Sequence, residues 1–223
     1  MWSTPIDLYC ERLAPSFWAE PVNALSNLAF LIAAVAAFRL WRRDGDSDLA
    51  ILALILVVVA VGLGSFVFHS LATRGAMLLD VGPIGVFIYG YFLFALRRFL
   101  SLSWPAALGL FAGFVALSTG LASWVPREFL NGSAGYFPAL AALIGIGWLV
   151  RGSVVGQSLL MAAGVFIVAL IFRIIDLDVC GAVPLGTHFL WHILNAAVLY
   201  TVLHGAIGEG HKPLAAMTSR GCE

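Results

Sequence analysis

Three histidines and one aspartate stand in stretches otherwise almost free of charge. His69 ends Ser65-Phe66-Val67-Phe68-His69, Asp80 ends Met77-Leu78-Leu79-Asp80, and His188 and His192 bracket His188-Phe189-Leu190-Trp191-His192. Ionisable side chains in apolar surroundings are costly and mark functional sites. Read as helices, Ser65 and His69 are i, i+4 and share a face, as do His188 and His192, and Asn195 extends the second face. Three imidazoles with a carboxylate nearby match the ligand count of a catalytic zinc site, which keeps three protein ligands and leaves the fourth position to water. Zinc lowers the pKa of that water to about 7 and polarises a carbonyl. Asp80 could take the proton, and Ser65 could donate a hydrogen bond to a developing oxyanion. Plainer readings stand beside this one. A lone membrane histidine is more often a helix–helix hydrogen-bonding residue. Asp80 could pair with Arg74, and Ser65 could be a small packing residue beside Gly62 and Gly64. His204 sits at the wrong depth and reads as structural, and His211 belongs to a polar tail.

The segments that carry these residues are long and apolar. Of 223 residues 61% are hydrophobic and 11% charged, with mean hydropathy +0.99. Soluble domains carry about 25% charged residues. The composition excludes an ordinary cytosolic enzyme and a disordered chain, and the net charge of zero gives no basic footprint for nucleic acid. The apolar runs predict seven transmembrane helices over 22–41, 49–70, 76–96, 104–123, 134–150, 154–172 and 187–207. They are too long and too little alternating for barrel strands. The fold class is therefore an all-α integral membrane bundle. Its parts are an interfacial segment over 1–21, a seven-helix domain over 22–207 and a short tail over 208–223. The first segment carries Asp7, Glu11 and Glu20 and does not read as a signal peptide. Its aromatics Trp2, Tyr9, Phe17 and Trp18 are expected near headgroup level.

Charge sets the orientation. Arg12, Arg74, Arg127 and Arg173 fall on the N-terminal side. Arg39, Arg42, Arg43, Arg97, Arg98, Arg151, Lys212 and Arg220 fall on the other. The excess on the second side places the N-terminus outside and the C-terminus in the cytoplasm. His69 then closes a helix running outward, while Asp80, His188 and His192 open helices running inward. All four come to one level near the outer face. The short loops suggest a bacterial inner membrane.

At these residues the chain resembles the alkaline ceramidase family, within a wider group of seven-helix membrane hydrolases that includes the progestin and adipoQ receptors. The matching pieces are Asp7-Leu8-Tyr9-Cys10-Glu11, Phe17-Trp18-Ala19-Glu20-Pro21-Val22-Asn23-Ala24-Leu25-Ser26-Asn27 and Gly62-Leu63-Gly64-Ser65-Phe66-Val67-Phe68-His69. They continue with Leu78-Leu79-Asp80, Arg173-Ile174-Ile175-Asp176, Cys180 and Gly186-Thr187-His188-Phe189-Leu190-Trp191-His192. Each is weak alone; the ordered set is specific. The resemblance implies a zinc amidase in which His69, His188 and His192 hold Zn²⁺, Asp80 meets the metal-activated water and Ser65 lies beside the metal. It implies a membrane lipid amide as substrate, most simply ceramide cleaved to a sphingoid base and a fatty acid. It also implies a Ca²⁺ site with carboxylates Asp7, Glu11 and Glu20, a chemistry that suits calcium. The sequence departs from the family there: one residue is inserted before Cys10, and Leu13 stands where the family has Asn. Cys10 and Cys180 both map to the outer side, where an oxidising compartment would let them pair, and the resemblance supports that disulfide; Cys222 belongs to the tail. Two other classes compete with the enzyme: a non-catalytic seven-helix lipid receptor with a structural zinc, and a b-type haem protein with bis-histidine ligation.

Overall fold

The computed structural model describes residues 2–14, 16–44 and 47–209, and all its regular elements are helical. The tail expected over 208–223, with His211, Lys212, Arg220 and Cys222, lies outside the described residues from position 210 on. Eight helices follow in order: α1 (Pro21–Ser26), α2 (Leu28–Arg43), α3 (Leu49–Leu71), α4 (Arg74–Arg98), α5 (Trp104–Trp124), α6 (Phe137–Leu149), α7 (Val154–Ile174) and α8 (His188–Glu209). The first expected span is α1 and α2 in series, broken at Asn27, whose side-chain amide turns back to the Asn23 carbonyl at 2.8 Å.

Among the described residues six spans are long and apolar enough to cross a bilayer, which marks a multi-pass membrane protein. The expected span over 134–150 is shorter, a 3₁₀ turn leading into α6 to give an apolar helix over Ala134–Leu149. At 1.5 Å per residue its 16 residues cover about 24 Å, short of the ~30 Å hydrocarbon thickness. Outward-facing Leu56, Val86, Leu110 and Met161 are exposed, as lipid-facing residues are.

Local signals start and stop the helices. Asp48, Thr73 and Ser153 accept hydrogen bonds from the first-turn amides of α3, α4 and α7. Ala72 takes a left-handed conformation (φ 40°) that ends α3 and lets the chain reverse into α4. Within α4, Pro83 has no N–H to give the carbonyl of Leu79. Gly64 of α3 packs on that freed carbonyl. A Cβ at Gly64 would come within 1.9 Å of the Leu79 oxygen, so α3 and α4 touch here because position 64 has no side chain. Ser65 and Asp80 are the next residues along each helix.

The N-terminal segment, expected to be interfacial, packs against helix ends. Its first residues lie along the α3–α4 turn, with Ile6 N–H donating to Ala72 O at 2.7 Å and Gly75 N–H to Trp2 O at 2.9 Å. It then crosses to the start of α8, where Cys10 is bonded to Cys180 (Cα–Cα 5.3 Å).

Candidate metal centre

His69, one turn from the end of α3, and His188 and His192, in the first turns of α8, bring ligand nitrogens within 4.8 Å of one another. All three are buried, with His69 at 0% exposure. Their ring centroids stand 4.6–5.2 Å apart in mutual contact. That packing leaves no gap for a flat macrocycle between two of them, which removes the bis-histidine haem reading.

Each ring is oriented by a second group. The Nδ1 of His69 lies 2.5 Å from Glu20 Oε2, and Nε2 is buried with no hydrogen-bond partner. The Ser26 hydroxyl donates to Asn23 O at 2.8 Å and lies 2.7 Å from His192 Nδ1. A hydroxyl can accept while it donates, so with its proton on Asn23 O the Ser26 oxygen suits a His192 tautomer that carries its hydrogen on Nδ1 and its lone pair on Nε2. The ring of His188 stacks on Tyr9 at 3.7 Å, and its Nδ1 has no partner. Protein acceptors on one nitrogen that leave the other lone pair free are what metal-binding histidines carry. The donor set and the orphaned nitrogens fit a metal ion.

Asp80, on the second turn of α4, is buried and faces Ser65 within hydrogen-bonding reach. Its Oδ1 has no partner, and Arg74 is exposed at the helix start with no ion pair to it. The expected set of Ser65, His69, Asp80, His188 and His192 thus comes together at one end of the bundle. Ser65, Asp80, His188 and His192 line a cavity of ≈ 1120 Å³ of empty space, part of it open to the surroundings, with His69 buried behind them; its far walls are Phe114, Ile146, Leu159 and Val202. Tyr91 closes the far end, donating to Val202 O at 3.0 Å.

The three acids expected to bind calcium are held otherwise. Both Glu11 oxygens accept backbone amides, from Val22 at 2.6 Å and Asn23 at 2.8 Å. Glu20 is tied to Arg12 (2.5 Å), His69 and Asn23. Asp7 is exposed. Among the described residues the histidine trio is the one such group whose ligand atoms converge. The acids therefore do not fit a calcium ion. Burial would raise the Glu20 carboxyl, but the His69 hydrogen bond and charge, with those of Arg12, overcome it and hold it below the usual glutamate range. Neither Glu11 nor Glu20 is a solvated interfacial acid.

Other residues escaped the sequence. Tyr9, expected at headgroup level, is buried between His69 and His188, and burial pushes its phenol up to about 12 against the pull of Arg173. Arg173 lines the cavity, donates to Tyr9 Oη at 3.3 Å, and lies over the rings of Tyr136 and Trp191. Its Nε has no partner, and no described carboxylate is within ion-pair distance. Asp176 is fully buried where the segment, the disulfide and α8 meet. One oxygen accepts Thr187 N–H (2.6 Å) and His188 N–H (2.9 Å), and the other accepts Cys10 N–H (3.1 Å). Gly186 (φ +64°) turns the chain beneath it; a Cβ there would sit 2.2 Å from Asp176 Oδ1. Tyr9, Arg173 and Asp176 stand in the pieces that match the family, but nothing in the sequence assigned them these roles.

A family model described as Ceramidase matches residues 6–207, nearly the whole chain. No curated protein matches it.

Proposed function

This chain belongs to the ceramidase family, and we propose that it is a zinc-dependent hydrolase of a membrane lipid amide, with ceramide the simplest substrate. The observation that carries the reading is the buried histidine trio beside Asp80 at the polar end of an apolar cavity. His69, His188 and His192 would hold the ion, which when bound supplies Lewis acidity for activating water and polarising the amide carbonyl. The cavity takes the acyl and sphingoid chains between helices, an apolar lining with a few convergent polar groups. Asp80 accepts the proton of the attacking water on its free Oδ1 and returns it to the leaving amine. Ser65, one turn before His69, donates toward the carbonyl oxygen as charge develops there. The unpaired cation of Arg173, on the cavity wall, favours the anionic character of the acid product. The rival reading, a lipid receptor with a structural zinc, lacks a use for Asp80 and Ser65 at the centre.

We also infer the topology from the chain's charge: seven spans counting Ala134–Leu149, N-terminus outside, C-terminus cytoplasmic, with the centre near the extracytoplasmic face of a bacterial inner membrane. A disulfide at the same end suits an oxidising compartment.

The test is elemental analysis of detergent-purified protein together with His188→Ala. About one zinc per chain, lost with all ceramide hydrolysis in the variant, is the expected result. Zinc retained in His188→Ala would break the ligand assignment. Zinc present with no turnover of any lipid amide would favour the receptor.

A further inference from the structure

Arg12 is an unusual neighbour for a metal centre. Its side chain is 4% exposed, deep in the N-terminal segment. Nε donates to Glu20 Oε1 at 2.5 Å, one terminal nitrogen to the backbone oxygen of His69 at 3.2 Å, and the other to Ala14 O at 3.2 Å. Glu20 turns its remaining oxygen to His69 Nδ1. One guanidinium therefore grips His69 twice, at its backbone directly and at its ring through Glu20.

We propose that Arg12 is a built-in counter-cation that positions His69 through Glu20, so that this chain orders its zinc centre without calcium. The proposal rests on the zinc reading above and departs from what the resemblance implies about calcium. Calcium takes six to eight oxygens around one point. Here the Glu20 oxygens face the Arg12 and His69 N–H donors, the Glu11 oxygens face two backbone amides, and Leu13 projects outward with 88% exposure. A second cation at Glu20 would have to displace a guanidinium that, among the described residues, is within ion-pair distance of no other carboxylate. The planar fork also explains why arginine serves. It reaches a carboxylate and two carbonyls at fixed angles at once, which a lysine ammonium on a flexible stem does not reproduce.

Arg12 is a positioning residue, so the readout is zinc affinity rather than turnover. The wild-type protein, Arg12→Gln, Glu20→Gln and the double variant are titrated with zinc against a competing chelator, and the wild type is titrated with calcium alone. Arg12→Gln and Glu20→Gln are each expected to weaken zinc by about 10–100-fold, the range for outer-shell partners of a metal-bound histidine. The double variant should be no weaker than the worse single one, because both act through one contact. Calcium should give no saturable binding to the wild type, and chelating it should leave zinc affinity unchanged. Unchanged zinc affinity in Arg12→Gln overturns the proposal, as does saturable calcium binding to the wild type that Glu20→Gln abolishes. Should Arg12→Gln fail to fold, Arg12→Lys takes its place with the same expectation. A wild type that binds no zinc sinks the metal reading itself, and the calcium titration then decides the calcium half of the proposal alone.

Discussion

At the end of the cavity beside His69, position is set by hydrogen bonds and one covalent bridge. At the end beside Tyr91 it is set by close apolar packing. The first end joins helix-borne groups, Ser65 and His69 of α3, Asp80 of α4 and His188 and His192 of α8, to irregular chain: the N-terminal segment and the turn through Asp176 and Gly186 contribute Glu20, Tyr9 and the Cys10–Cys180 bond. The second end is built by helices, with Phe87, Leu159, Val202 and Ala206 in one core and Tyr91 tied to Val202 O. The difference teaches where precision is needed. A lipid tail needs volume and apolar walls, which tolerate repacking. A metal and an attacking water need side chains fixed in angle, which directional bonds supply.

That contrast can be broken or sharpened by four changes. The largest effect is expected from Asp80→Asn, which keeps the shape of the polar end but removes the proposed base. Hydrolysis of ceramide should fall by about 10²–10⁴-fold with zinc content unchanged, and full activity would remove Asp80 from the chemistry. Next comes Gly64→Ala, where the new methyl must push Leu79 and hence Asp80 away from α3. Misplacement of this kind costs about 10²-fold in rate, and kinetics at saturating substrate should show it while zinc binding persists. Third is loss of the disulfide by Cys180→Ser. The segment would lose its tether to α8 and the protein about 2–5 kcal/mol, readable as a lowered thermal midpoint, with no shift if Asp176 alone suffices to hold Cys10. The smallest is Tyr91→Phe at the apolar end. It removes one hydrogen bond and about 1 kcal/mol, with turnover expected to change little. A loss there as large as that of Asp80→Asn would mean the two ends are not held independently.

The sequence by itself determined the helices and picked out the polar groups that gather at the histidine trio. Long apolar runs can satisfy their backbone in a membrane only as helices or closed barrels, so the positions of the spans were legible, apart from the shortness of the run over Ala134–Leu149. The histidines and Asp80 were legible because charge is scarce in such runs, and their i, i+4 spacing fixed which of them share a face. What the tertiary structure decided was the partner of each polar group outside the helices. Glu20 read as an interfacial acid or a calcium ligand and is the acceptor for His69 and Arg12. Tyr9 read as a headgroup aromatic and is a wall of the centre. Asp176 and Ser26 stood in family-like pieces with no role assigned, and they orient α8 and His192. The reason is physical. Periodicity reports burial along one helix, whereas a hydrogen bond between residues 49 or 166 positions apart depends on how an irregular segment is laid across several helix ends, and no local pattern encodes that path.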